Sequence, residues 1–231
     1  MKTIAILQSN YIPWKGYFDL IDRADEFILY DEMQYTKNDW RNRNQIKTAA
    51  GLSWLSIPID TKGKPLQRID EARVVDHHWC RKHLNALRMN YSRAAYFKDF
   101  FPRIEDLYMQ CAEEDLLTRI NECFLRGICE ILGITTKISR SSDYHLIEGK
   151  TERLVRLVQD AGGTEYLSGP AAKCYIQEEL FKEADLTLTW MDYSGYRPYP
   201  QLFGDFVHNV SILDLLFNTG TEALSYIRIR E

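Results

Sequence analysis

What this 231-residue sequence lacks narrows its function first. It has no long apolar run. Residues 4–7 are hydrophobic, but Gln8 and Asn10 follow at once, and nothing downstream approaches the ~20 apolar residues of a membrane span. A run this short is no secretory signal either, so a cytoplasmic location is expected and a transmembrane segment is not. Neither sign of charge is in large excess: 29 Lys and Arg against 33 Asp and Glu leave a net charge of −4, which opposes nucleic acid as a partner. The five cysteines, Cys80, Cys111, Cys123, Cys129 and Cys174, are odd in number and form no C-x-x-C pair. That fits reduced thiols better than a disulfide framework. Histidine is equally sparse. His77, His78 and His83 surround Cys80 at a spacing that matches no zinc pattern, so no metal is expected. The dinucleotide fingerprint G-x-G-x-x-G is absent, and no motif names a cofactor.

What is present is a globular composition: 45% hydrophobic and 13% aromatic, with 14 Tyr and 5 Trp. Aromatic side chains with polar handles serve core packing and the binding of sugars or bases alike. The apolar pattern alternates between strand and helix. Residues 4–7 and 27–30 read as buried strands. Between them Tyr17, Leu20, Ile21 and Ala24 recur at helical spacing, which makes a βαβ unit with parallel strands. Residues 40–46 and 52–59 read as extended, joined by a turn at Ala49, Ala50 and Gly51, and residues 72–75 as a further strand. A helical stretch then runs to Leu132, with breaks near Ser92 and at Glu113. Strands at 135–139, 166–167 and 186–190 alternate with a helix at 150–161 and another opened by Pro170. Ser211 and Asp214 form a capping-box-like start to a last helix, which ends near Gly220. The pattern predicts an α/β fold: a single three-layer domain over residues 1–231, with a mainly parallel, Rossmann-like sheet and a helical insertion at roughly 77–132.

Three segments carry candidate chemistry. The loop from Gln8 to Tyr17 joins the carboxyl end of a buried strand to a helix, where ligands bind in open parallel sheets. Gln8 and Asn10 are poorly explained there by packing. The second segment runs from Asp31 through Gln34 and Lys37 to Asn44. In an extended chain Arg41 and Arg43 share one face, from which two guanidiniums can clamp a phosphate or carboxylate, and Asn42 and Asn44 share the other. A solvated edge strand carries basic residues too. In the third, Ser168 or Gly169 caps a helix with Lys173 about one turn in, which suits an anion and an ordinary N-cap equally. His83 on a helix is a candidate general base, though such a histidine more often packs.

The same segments carry a family resemblance. Gln8–Phe18 as a block, Gln34-Tyr35-Thr36-Lys37 with Trp40-Arg41-Asn42-Arg43-Asn44, Trp79 with His83, Tyr166-Leu167-Ser168-Gly169, and Ser211-Ile212-Leu213-Asp214 resemble the recurrent motifs of the WbqC-like family. That family is named for a protein of O-antigen biosynthesis, so the resemblance implies a role in bacterial surface-polysaccharide synthesis. A looser similarity, strand then Trp14-Lys15-Gly16-Tyr17 then helix, is to the opening of nucleotidylyltransferases. Those enzymes carry His-x-Gly-His there, and here Trp14 and Tyr17 replace both histidines.

The expected function is therefore a transferase acting on a nucleotide-linked sugar or other activated donor. Its ligand would bear phosphate or carboxylate, held by Gln8, Asn10, Tyr11, Trp14, Gln34, Lys37, Arg41, Asn42, Arg43, Asn44, Ser168 and Lys173, with His83 or Asp31 as acid–base candidates. The alternatives are a non-catalytic ligand-binding or scaffold protein of a polysaccharide assembly complex, and a degenerate nucleotidylyltransferase-like enzyme. The cofactor stays unknown, and homo-oligomerisation is left open.

Overall fold

In the computed structural model, which describes residues 1–228, the first apolar run forms β1 (Thr3–Leu7) at the centre of a five-stranded sheet. Successive residues of a strand point to opposite faces. Ile4 and Ile6 accordingly pack with Leu154, Leu157 and Val158 on one side, and Ala5 with Phe18, Ile21 and Phe27 in the core on the other. Burial on both faces is why the strand reads as a continuous apolar run and not as an alternating one.

From β1 the chain passes through α1 (Lys15–Arg23) to β2 (Glu26–Leu29), which pairs parallel to β1 with Ala5 opposite Phe27. A two-stranded antiparallel hairpin follows, β3 (Arg43–Thr48) and β4 (Gly51–Ser56), outside the main sheet. Three helices come next: α2 (Trp79–Tyr91), α3 (Phe97–Gln110) and α4 (Leu117–Leu132), the last with Ile120, Phe124 and Ile128 fully buried. Then β5 (Lys137–Arg140) pairs parallel to β2, α5 (Thr151–Asp160) crosses the sheet, and β6 (Glu165–Ser168) pairs parallel to β1 on its free side. Finally α6 (Glu178–Glu183) leads to β7 (Thr187–Trp190) beside β6, and α7 (Ile212–Thr219) and α8 (Ala223–Ile227) close the described chain.

The strand order is β5-β2-β1-β6-β7, all parallel. α5 and α6 cover one face, and α1, α4 and α7 pack into the core of the other, which gives a three-layer Rossmann-like arrangement. Three local expectations are corrected. Residues 40–42 form a turn, and the extended segment begins at Arg43. Residues 72–75 form no strand: Val74 bridges Ile59 and Arg73 bridges Leu116 as isolated contacts, because no neighbouring strand runs alongside. Asp214 does not complete a capping box; Ser211 Oγ caps α7 by accepting from Leu213 N, while the Asp214 carboxylate accepts from Tyr91, Tyr199 and Gln201. Among the described residues no helix is long and apolar enough to cross a membrane.

Candidate functional site

The chain lays β2 and β5 on one side of β1, then returns to lay β6 and β7 on the other. The crevice at the carboxyl ends of β1 and β6 is therefore the switch point of the sheet, where open α/β folds bind ligands. A cavity of about 540 Å³ lies at this end. It is walled by Leu7 and Gln8 after β1, Tyr30 after β2, Tyr166 of β6, Tyr175, and Gly149, Lys150 and Arg153 at the start of α5.

Gly149 has φ +97°, a backbone conformation that side-chain-bearing residues rarely adopt, so the turn that presents Lys150 favours glycine. Lys150 is exposed and makes no hydrogen bond or ion pair among the described residues. Arg153 is held in place: Nε donates to Ile147 O at 2.5 Å and Nη1 to the Tyr30 hydroxyl at 3.1 Å. Its Nη2 has no partner among the described residues. No carboxylate lines the cavity. Burial raises the Tyr30, Tyr166 and Tyr175 hydroxyls above their usual pKa, so these walls stay neutral at pH 7.

The β1–α1 loop forms the other boundary, and α4 fixes its shape. Ser9 N donates to Asp31 Oδ1 at 2.7 Å, Thr118 donates to Asp31 Oδ2, and Asn121 Nδ2 donates to Ser9 Oγ at 3.0 Å and Arg41 O at 2.9 Å. Ile12 sits at φ +36°, a strained conformation for a β-branched residue. Asn44 Nδ2 restrains the strained segment by donating to Tyr11 O and Ile12 O. Into this loop projects Arg41, with Nη1 donating to Asn10 Oδ1 at 2.5 Å and Nη2 to Gln8 Oε1 at 3.2 Å. Both amide oxygens are thereby committed. The Gln8 and Asn10 NH₂ groups remain as donors without a partner among the described residues.

The sequence-nominated residues divide by place. Gln8, Asn10 and Arg41 converge. Arg43 does not join them: its guanidinium lies over the Trp54 ring at 4.0 Å, because Arg41 sits in the turn before β3 and the expected strand alternation fails. Asn42 and Asn44 are buried and bind backbone, Asn42 through Ile57 O. Gln34 donates to Pro65 O, Lys37 is exposed in a turn, Ser168 is buried against Tyr166, and Lys173 lies over the Trp190 ring at 5.5 Å. Tyr11 is fully buried, its hydroxyl joining His83 Nδ1 at 2.9 Å and the Tyr108 hydroxyl at 2.7 Å. His83 Nε2 reaches Ser56 O at 3.2 Å, so both ring nitrogens are occupied and the ring stays out of the switch-point cavity. Burial lowers its pKa to about 4. Asp31 is buried beside Arg41. Burial raises its pKa, against the hydrogen bonds from Thr118 and Ser9.

Sequence reasoning missed Tyr30, Lys150, Arg153 and Tyr175, and the buttressing Thr118 and Asn121. Gly149-Lys150-Thr151 at the start of a helix that follows a strand was the available signal for the first group. A second hollow of about 530 Å³ near α8 is a poorer anion site: Glu222 lines it, Arg228 pairs bidentately with Asp22, and Arg197 is bound to Ser225 O. Among the described residues no three His, Cys, Asp or Glu side chains converge as a metal site requires.

No solved structure matches this chain. It is similar to uncharacterized protein Rv1507c of Mycobacterium tuberculosis (strain ATCC 25618 / H37Rv), with 51% identity over 228 residues, covering 99% of this chain and 98% of that one. The model of the WbqC-like protein family matches residues 8–226, from the switch-point loop to α8, and the chain belongs to that family.

Proposed function

We propose that the protein is a transferase that holds a nucleotide-linked sugar, or another phosphate-activated donor, in the switch-point cavity, and that it acts in the cytoplasm in bacterial surface-glycan synthesis. The observation that carries this reading is the charge of the cavity: Lys150 and Arg153 line it and no carboxylate does. Its size, about 540 Å³, falls within the roughly 300–1,000 Å³ typical of small-molecule sites. Phosphate oxygens would meet Lys150, the free Nη2 of Arg153 and the first N–H groups of α5. The Gln8 amide would orient the donor, and Tyr30 and Tyr175 would flank its base or sugar. Asp31, outside the cavity wall and with both oxygens engaged by Ser9 and Thr118, holds the β1–α1 loop that carries Gln8. His83, with both nitrogens engaged, serves instead to hold Tyr11. The glycan setting comes from the resemblance to O-antigen proteins.

Titration calorimetry with nucleoside diphosphates and with pyrophosphate tests the reading. Lys150→Ala and Arg153→Ala should each weaken binding roughly tenfold, as loss of a charge-assisted contact does. Absence of binding by all of these ligands, or binding indifferent to both substitutions, rejects it. One observation favours a second reading, a non-catalytic ligand-binding protein: no carboxylate, imidazole or thiol lines the cavity. That reading predicts the same binding but no consumption of the nucleotide sugar in the presence of acceptor glycans.

A further inference from the structure

On the other side of the β1–α1 loop lies a smaller cavity of about 200 Å³, lined by Asn10, Pro13, Trp14, Trp40, Asn44 and Asn209. It differs from the switch-point cavity in two ways. None of its lining residues is charged, and two of the six are tryptophans. At 200 Å³ it lies below the roughly 300–1,000 Å³ range of sites for larger ligands, which suits one ring and not a nucleotide.

Both indoles are held before any ligand arrives. Trp14 lies across Gly16, where a Cβ would come within 2.3 Å of its ring, and meets Tyr193 and Tyr196 edge-on at 5.3 and 5.8 Å. Trp40 is backed by Trp54 at 5.4 Å, and Trp54 by the Arg43 guanidinium at 4.0 Å. Trp40 is nonetheless 42% exposed, which leaves part of its surface open to solvent. The polar groups are equally prepared. Arg41 occupies the Asn10 oxygen, and among the described residues the Asn10 NH₂, the Asn209 amide and both indole N–H groups have no hydrogen-bond partner. Asn44 is already bound to Tyr11 O, Ile12 O and Gln45 N and forms only the floor.

We infer that this cavity binds a single neutral sugar ring, with its C–H face against tryptophan and its hydroxyls on the Asn10 and Asn209 amides. A pyranose presents what these walls lack: an uncharged apolar face and hydroxyls that both donate and accept. Anionic ligands find no cation here, and a purely apolar ring would strand the amide dipoles. Arg41 touches one lining residue of each cavity, Gln8 and Asn10, and so links the two sites without lining either. The sugar site does not depend on what fills the larger cavity.

The test uses the full chain and methyl glycosides of neutral hexoses and N-acetylhexosamines, followed by tryptophan fluorescence and saturation-transfer NMR. At least one glycoside should bind saturably. Trp40→Ala should weaken it roughly tenfold, as loss of an aromatic platform does, while Lys150→Ala leaves it unchanged. Asn209→Ala, at an exposed position, should weaken binding without altering the melting temperature. No saturable response to any glycoside up to ~50 mM, far above the mM affinities expected of one ring, overturns the inference. So does binding that survives Trp40→Ala together with Asn209→Ala, or a response to indole and phenol but to no sugar. Loss of nucleoside diphosphate binding with glycoside binding intact would strike the proposed function alone.

Discussion

Arg41 donates to the side-chain oxygen of Asn10 across 31 residues of sequence at 2.5 Å, and that bond turns the Asn10 amide outward. The same guanidinium holds Gln8. Arg41 thus organises the donors of two cavities without lining either. Arg41→Ala should weaken nucleoside diphosphate binding several-fold, up to about tenfold, because the freed Gln8 amide must be reordered on binding. Arg43→Ala removes a stacking contact over Trp54 worth about 0.5–1 kcal/mol at an exposed site and should leave that affinity unchanged. Calorimetry on both variants checks the contrast. Equal losses would restore the two-arginine clamp that strand alternation suggests.

Tyr108, Tyr11 and His83 form a buried chain that ends on Ser56 O. The carbonyl can only accept, so His83 Nε2 carries the proton and Nδ1 accepts from Tyr11. Burial holds the imidazole neutral, with its pKa pulled from 6.5 to about 4. Between those values the unfolded chain binds a proton that the native chain does not. The stabilisation is therefore complete above pH ~6.5 and lost as pH falls toward ~4, at up to about 1.4 kcal/mol per pH unit. His83→Leu should destabilise the protein by about 1–3 kcal/mol at pH 7, since it leaves one hydroxyl of the Tyr11–Tyr108 pair without an acceptor and removes the imidazole donor from Ser56 O. It should also flatten this acid limb. Urea denaturation of both proteins at pH 4.5 and 7 makes the comparison, and a variant with the wild-type pH slope would contradict it.

The parallel sheet was legible because β1 and β2 are buried on both faces and read as unbroken apolar runs. The convergence of Gln8, Asn10 and Arg41 was half legible. Polar residues after an apolar strand pointed to the loop, but the turn at 40–42 that separates Arg41 from Arg43 has no pattern of its own. Lys150 and Arg153 were overlooked because a basic pair at a helix start looks like any solvated turn. Only the strand order places α5 over the switch point. Asn121 was hidden for the opposite reason: it sits fully buried among the apolar residues of α4, where its contacts to Ser9 and Arg41 come from distant segments.

At the amino end of the sheet Glu26 is fully buried, and its carboxylate meets Lys2, Lys137, Ser139 and Tyr144. Burial pushes its pKa up, but the hydrogen bonds from Lys2, Tyr144, Ser139 and Lys137 prevail and bring it down to about 2. The stabilisation is present above pH ~4.5 and lost as pH falls toward ~2. Glu26→Gln should cost about 2 kcal/mol at pH 7, less than the ~3–5 kcal/mol of a fully buried pair, because both lysines can turn to water. The penalty should shrink below pH 3. Thermal melts across pH 2.5–7 test it, and a penalty constant with pH would assign the loss to packing.

Lys15, the first residue of α1, is buried with no carboxylate at ion-pair distance among the described residues. Its ammonium donates to Arg197 O at 3.2 Å and lies 4.9, 5.3 and 5.6 Å from the rings of Tyr196, Tyr199 and Phe206. Burial lowers its pKa from 10.5 to about 8. Between these values the unfolded chain holds a proton that the native chain has released, so the contribution of this group to stability rises with pH across the window and is lost as pH falls to ~8. Removing a buried charge in favour of an apolar side chain of similar length is often neutral or stabilising by about 1–4 kcal/mol, against roughly 0.5–2 kcal/mol of lost cation–π attraction. Lys15→Met should therefore match or exceed the wild type at pH 7.5, by about 0–2 kcal/mol, and its advantage should vanish near pH 10. Denaturant melts of the pair at both pH values read the difference directly, because the other lysines and tyrosines titrate alike in each. A variant less stable than the wild type at pH 7.5 would mean that the aromatic cage holds the ammonium more tightly than burial penalises it.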